Sequence, residues 1–321
     1  MRAYILRRLL ILIPVFIGIT IIIFALVYLT PGDPFSAMLE VPGISPDQLE
    51  TLKVQSGYYD PLPIKYFKWV KNLVLNGDLG YSSWYHEPVT TVIGRRLGNT
   101  LLLSLSALII GVVFAVPLGI ISATKKYSVF DYIATIIALI GISIPSFFFA
   151  LGLIKIFGID LSIFPMSGMQ SVPNKEGFAQ VLDVLWHMVL PLFVLGFMQM
   201  ASLMRYTRSS MLDVMQQDYI RTARAKGLSE RVVIYRHALR NSLTQLVTMI
   251  TLSMGGLFSG AVLVETVFTW PGMGTLIYSA IGQRDYNLIT AGALLISLTV
   301  LLANLLADIL YAVVDPRVTY K

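Results

Sequence analysis

"QDYIRTARAKGLSERVVIYRHALRN", residues 217–241, lies between two apolar stretches of a very apolar chain, yet it carries Arg221, Arg224, Lys226, Arg231, Arg236 and Arg240. Gln217 or Asp218 can cap a short helix at its start. One face of that helix, at i, i+3, i+4 and i+7, reads Tyr219, Thr222, Ala223 and Lys226. Gly227 then ends it, because glycine tolerates the left-handed conformation of a helix C-cap. Ser229 caps a second helix with Glu230 in its first turn, and that helix runs on into apolar sequence. The expectation is a helix, a sharp corner and a helix, projecting into water. Small residues on the first face let another backbone approach closely, and the basic residues keep the knob soluble. A merely charged loop needs neither this length nor this placement of alanine and glycine.

What the knob projects from follows from composition. The chain is 56% hydrophobic and only 13% charged, with mean hydropathy +0.73, far from globular averages. It reads as a membrane protein. In a soluble chain the net charge of +6 would suggest nucleic acid. Here the basic residues flank apolar runs, where they set orientation, so a lipid bilayer is the expected partner and no nucleic acid is. There is no cysteine, which excludes disulfides, thiolate metal sites and cysteine catalysis.

Arg2, Arg7 and Arg8 precede an apolar run from Leu9 to Leu29. A signal peptide has an apolar region of about 7–15 residues and a small-residue cleavage site. This run is longer and crosses ~30 Å of hydrocarbon at ~1.5 Å per residue, so it reads as a retained first span. Five further runs follow, near 99–123, 131–157, 187–205, 243–268 and 288–312. The expected fold is all-α and polytopic, with six transmembrane helices and both termini on one side. With that side cytoplasmic, the inner segments hold Arg2, Arg7, Arg8, Lys125, Lys126, Arg205, Arg208, the six basic residues quoted above, Arg317 and Lys321. The two short outer loops, around 158–186 and 269–287, hold only Lys175 and Arg284. The positive-inside rule therefore puts both ends and the basic corner in the cytoplasm. The organisation reads as an N-terminal tail and first helix (1–30), an extracytoplasmic loop (31–98) and a five-helix core (99–321) holding the cytoplasmic loop 206–242.

In the outer loop, "PGDP" and "VPGISPD" are turn signals. Ile64, Phe67, Val70 and Val74 recur at helical spacing opposite Lys65, Lys68 and Lys71. That helix either lies at the outer membrane surface or packs on the outer ends of the spans. Catalytic motifs are missing: there is no G-x-x-x-x-G-K-[ST], no H-E-x-x-H and no G-x-S-x-G. His86, His187 and His237 fall in loops or at span ends, scattered in sequence, which gives a zinc site no support.

A proton- or sodium-driven carrier buries ionisable groups at mid-membrane. Counted along their spans, Glu265 comes near the outer surface and Asp308 near the inner one, as structural groups of the interface. The deep polar residues Gln199, Ser253 and Asn304 are neutral and are expected to hydrogen-bond between helices. Gly256 and Gly260 form a G-x-x-x-G that suggests close packing. Pro14, Pro117, Pro145 and Pro191 are expected to kink their spans.

"YIRTARAKGLSERVVIYRHALRN" resembles the cytoplasmic EAA loop of ABC-importer permeases, in the form typical of dipeptide and oligopeptide systems. Ala223, Gly227 and Leu239 match the general pattern, while its leading Glu and final Pro are absent. The resemblance extends to "LTPGDP", "DPLPIKYFKWVKNLVLNGDLGYS", "GNTLLLSLSAL", "VETVFTWPGMG" and "DPRV", nearly the whole chain. It implies a type I importer permease of the prokaryotic cell membrane that pairs with a similar second permease. Two cytoplasmic ATPases and an extracytoplasmic binding protein complete the assembly. The implied cargo is a peptide, with a nickel complex or another small solute as the alternative; a secondary carrier is the rival from another class. No cofactor is implied on this chain, since Mg-ATP belongs to the partner subunits. The implied ATPase-coupling residues are Asp218, Tyr219, Arg221, Thr222, Ala223, Arg224, Lys226, Gly227 and Leu228. In such a fold the outer segment with Glu265, Trp270, Pro271, Gly272, Met273 and Gly274 is a candidate outer gate or binding-protein contact, argued from its Pro/Gly turn. A plain outer loop is the alternative.

Overall fold

A computed structural model describes residues 2–30, 45–55, 57–173 and 175–314. Twelve helices and one small hairpin follow in order: α1 (Arg2–Leu29), α2 (Pro46–Gln55), α3 (Leu62–Asn76), β1 (Tyr81–Ser82), β2 (Glu87–Pro88), α4 (Val89–Thr124), α5 (Val129–Ser143), α6 (Ser146–Leu153), α7 (Phe178–Met215), α8 (Asp218–Ala225), α9 (Glu230–Val232), α10 (Leu239–Val267), α11 (Met273–Gln283) and α12 (Tyr286–Val314). Two stretches are π-helical: Ile154–Asp160, which continues α6, and Val233–Ala238, which joins α9 to α10.

Among the described residues, Leu6–Leu29, Val89–Thr124, Phe178–Met215 and Tyr286–Leu306 are long and apolar enough to cross a membrane. The apolar sequence around 243–268 lies in α10, a helix of 29 residues. Helices α4 and α7 start well before the apolar runs that announce them. At 36 and 38 residues they reach ~54–57 Å and project beyond a ~30 Å hydrocarbon core. His187 is thereby corrected: it lies inside α7, buried, with Nδ1 2.8 Å from the Asp183 carbonyl.

The run 131–157 is likewise not one continuous helix. It breaks between α5 and α6 with a bend of 105°. Proline disfavours helical backbone in the residue before it, and Ile144, just before Pro145, is extended at φ −80°, ψ 126°. Pro14, Pro117 and Pro191 remain inside their helices.

Close approach of α4 to α7 makes the centre of the bundle. A Cβ on Gly111 would stand 2.9 Å from Gln199 Cβ, and one on Gly119 would stand 2.5 Å from Thr207 Cβ. Small residues let membrane helices meet this way without a hydrophobic driving force between them. Gln199 fills the space over Gly111, and its Nε2 has no hydrogen-bond partner among the described residues. Ser253 bonds back to the Met249 carbonyl of its own helix, 2.8 Å away. Neither makes the inter-helix bond expected of it. Gly256 and Gly260 belong to a stretch of α10 whose packing lies outside the described residues, as do the turn signals near 31–44 and the C-terminal "DPRV".

Helix α1 packs on α12, and Arg8 meets Asp308 at 3.0 Å, so the start of α1 and the late part of α12 share one end of the bundle. At the opposite end Asp285 caps α12 by accepting from the Leu288 N–H at 3.1 Å. The same carboxylate accepts from Ser82 Oγ and from the Trp84 N–H, which docks the β-hairpin there. Also at this end, Tyr66 and Trp69 of α3 pack on Phe24 of α1. Ile64, Phe67 and Val74 of α3 stay exposed. The helix thus holds the bundle with an aromatic side and offers lipid an apolar one, combining both readings of its sequence. Exposed Ile, Val and Phe on α1, α4 and α5, such as Ile13, Val113, Phe114, Ile136 and Ile140, form the apolar belt that a bilayer requires.

Candidate functional site

The basic segment is built as its sequence suggests. Helix α8 starts after Gln217, whose backbone is extended at φ −71°, ψ 149°, and places Asp218 in its first turn where the helix dipole favours a carboxylate. Neither Gln217 nor Ser229 makes a side-chain cap bond, although both occupy cap positions. Gly227 has φ +77°. The chain turns there, with the Gly227 N–H donating to the Arg224 carbonyl at 2.9 Å and the Leu228 N–H donating to the Ala223 carbonyl at 3.4 Å. Arg224 reaches across the corner to Glu230 at 2.7 Å.

Ala223 does not belong to the outer face. With Ile220 it turns inward and is buried against Ile120 and Ala123 of α4, Met211 and Val214 of α7, and Val233 and Ala238. The physical reason is a stripe at i, i+3 on a helix that must root itself in its own bundle. The backbone that the small Ala223 side chain admits is this chain's own. The surface left for a partner is Asp218, Tyr219, Arg221, Thr222, Arg224, Lys226, Gly227 and Leu228, all exposed. Ile220, an apolar residue among charges, was the sequence signal for the buried root.

A graded series at the corner checks this arrangement. Nothing lies within 4 Å of a Cβ added to Gly227, so only the backbone resists substitution. Gly227→Asn is expected to be well tolerated, whereas Gly227→Val should cost ~1–2 kcal/mol by forcing a β-branched residue left-handed. Ala223→Trp should act from inside, by lifting α8 off α4 and α7. Partner co-purification and transport should fall for Val and Trp and hold for Asn. Equal loss in Asn and Val would mean that the corner conformation is irrelevant.

At the opposite end, the turn after α10 closes on Glu265. Its Oε1 accepts from Thr100 Oγ1 at 2.6 Å and its Oε2 from the Gly274 N–H at 2.6 Å. Thr100 Oγ1 in turn accepts from the Met273 N–H at 2.7 Å. Trp270 Nε1–H donates to the Asn99 carbonyl at 3.1 Å, and Asn99 Nδ2 donates to the Pro271 carbonyl at 2.8 Å. Glu265, Trp270, Gly272, Met273 and Gly274 are buried and Pro271 is half-buried. They are engaged in locking α10, α11 and the start of α4 together, which leaves little of them exposed on the described chain.

The sequence reading missed Asp131. This buried carboxylate takes a bidentate grip from Arg208, Nε to Oδ1 at 2.6 Å and Nη2 to Oδ2 at 2.8 Å, and also accepts from Ser122 Oγ and the Tyr127 N–H. It ties α4, α5 and α7 together beside the basic segment. The signal was the capping box Ser128-x-x-Asp131 at the head of an apolar run; the Ser128 side chain accepts from the Asp131 N–H at 3.3 Å.

Apolar helices held by buried locks at each end, with one charged corner rooted in the core, have the build of a membrane transport component. Residues 115–320 match the family described as binding-protein-dependent transport system inner membrane component, and residues 1–104 match its N-terminal counterpart. The chain belongs to this family. It is 44% identical over 321 residues, the whole of both chains, to the oligopeptide transport system permease protein AppB of Bacillus subtilis (strain 168). It is 40% identical over 339 residues, again with full coverage of both, to the dipeptide transport system permease protein DppB of Escherichia coli (strain K12). The methionine ABC transporter MetNI, solved in inward-facing conformations, shares the fold at a TM-score of 0.57. That match has 17% identity and covers 70% of this chain and 96% of that one.

Proposed function

We propose that the chain is the membrane subunit of an ATP-driven importer of di- and oligopeptides, forming one half of a translocation path completed by a second, similar permease. The observation that carries this reading is the full-length likeness to dipeptide and oligopeptide permeases. The rooted, outwardly charged corner at α8 fits it. In this reading six helices cross the cell membrane, the α5–α6 pair and α10 among them, with both termini and the corner in the cytoplasm. The distribution of Lys and Arg supports that orientation. Two cytoplasmic ATPases dock on the exposed face of α8, and an extracytoplasmic binding protein delivers peptide to the hairpin end. Closure of the ATPase pair on Mg-ATP displaces α8. Because Ile220 and Ala223 are seated on α4 and α7, the bundle follows, and the path alternates between its two openings. The chain itself performs no catalysis.

Reconstitution with a second permease, the ATPases and the binding protein should give labelled dipeptide uptake that requires ATP and the binding protein. Uptake driven by an ion gradient without ATP would defeat the reading. Orientation has its own check, since the chain has no native cysteine. A cysteine replacing Val172, which is 94% exposed, should react with an impermeant thiol reagent on intact cells. One replacing Ser229 should react only after the membrane is opened; the reverse pattern would invert the topology.

A further inference from the structure

Helix α3 turns one face away from the bundle. Ile64, Phe67, Lys68, Lys71, Val74 and Leu75 recur along it at spacings of three and four, so they form one stripe, and all six are exposed. Phe67, Val74 and Leu75 are 71%, 73% and 68% exposed. A contiguous apolar stripe of this kind marks a contact with a membrane or another protein.

The depth of α3 decides between the two. From Leu9 to Leu29, α1 is just long enough to cross ~30 Å of hydrocarbon. Arg8, paired with Asp308, marks one boundary, and the exposed Ile21, Ile22, Leu26 and Leu29 carry the lipid-facing surface to the other. Helix α3 does not sit on top of this span. Its Tyr66 and Trp69 pack on Phe24, about 7 Å below the end of α1 at ~1.5 Å per residue. Tyr66 Oη meets Thr20 Oγ1 at 2.9 Å, one turn farther down. Lys65, by contrast, lies over the ring of Tyr28 at the boundary. The outward stripe therefore runs at the level of Ile22 and Leu26, where α1 itself faces acyl chains.

Charge narrows the choice of lipid. Helix α3 holds three lysines and no carboxylate. Nearby, Asp60 is taken by Lys68, and Asp78, beyond the helix end, accepts from the Gly80 N–H. Lys71 makes no ion pair among the described residues. Its stem can lie on Phe67 and Val74, one turn away on either side, while its ammonium extends to the membrane surface.

We propose that α3 is immersed in the leaflet at the hairpin end, the outer one in the orientation given above. The phosphate of an anionic phospholipid pairs there with Lys71, beside Lys68, and its acyl chains lie on Phe67, Val74 and Leu75.

The test uses the assembled transporter with its binding protein, in nanodiscs holding equal parts of phosphatidylglycerol and phosphatidylcholine. Benzoylphenylalanine replacing Phe67 places a photoreactive ketone on the stripe, and its adducts are read by mass spectrometry of this subunit. Irradiation should join the subunit to lipid, as the same probe replacing Ile22 should and one replacing Val172 should not. Adducts at position 67 should favour phosphatidylglycerol about five-fold, as one lysine near an anionic surface gives. Lys71→Gln should bring that ratio close to one, Lys71→Arg should keep it, and excess inorganic phosphate should leave it unchanged. Adducts to the binding protein or the second permease would mean that protein covers the stripe, and no adducts at all would place it in water. Equal yields from the two lipids would mean that the headgroup is not read, and a ratio abolished by inorganic phosphate would assign Lys71 to a free anion. Each of these four results would overturn the proposal.

Discussion

Gly274→Ala is expected to abolish uptake and to lower the thermal stability of the purified complex. A Cβ at this position would stand 2.5 Å from Val262 Cα and 2.8 Å from Glu265 Oε2. The first neighbour is backbone and cannot step aside, so overpacking costs ~1–3 kcal/mol. Pushing α11 away also breaks the Gly274 N–H bond to Glu265, a charge-assisted contact of ~1.5–3 kcal/mol in a buried place. Glu265→Ala attacks the same lock from the other side. It strands the Gly274 N–H and unbalances Thr100, which donates to Glu265 while accepting from Met273. Each buried group left unpaired costs ~1–3 kcal/mol. Glu265→Gln keeps the volume and one acceptor, so its loss should be the smallest of the three. Wild-type melting and uptake in Gly274→Ala would show that the corner is loosely packed.

Arg208→Ala is the second change with a large expected effect. Asp131 is 2% exposed, so removing its guanidinium partner leaves a buried charge supported only by Ser122 and the Tyr127 N–H. Breaking such a pair costs ~3–5 kcal/mol. Asp131→Ala should cost less, because the Arg208 side chain is 24% exposed and can turn its charge to water. A double-mutant cycle read by thermal unfolding of the complex should return a coupling of ~0.5–3 kcal/mol. Additive losses would mean that the pair carries no bond of consequence.

The apolar runs made most of the helices legible, because a chain of this hydropathy has few other ways to satisfy its backbone in a bilayer. The corner at Gly227 was legible because only a left-handed residue turns a helix so sharply. Glu265 was expected to be a structural group and is one. Its partner Thr100 lies in a different helix, however, and no local pattern announces a bond between residues so far apart in sequence. For that reason the sequence did not announce the lock after α10. Ala223 misled in the opposite way. Helical spacing groups residues by face but does not say which face meets the bundle, and only Ile220 beside it carried that information. At Pro145 the residue type announced a disturbance, while its size, a break of 105°, depended on what α5 and α6 pack against.

The π-helical stretch Val233–Ala238 determines how the basic corner is geared to α10. A π turn holds one residue more than the α-helix around it, and such an insertion shifts the phase of everything on its far side by about 100° and its height by ~1.5 Å. The corner and the long helix therefore do not form a continuous rod. They are meshed one tooth out of step, and the surplus residue sets the azimuth at which α8 faces its surroundings.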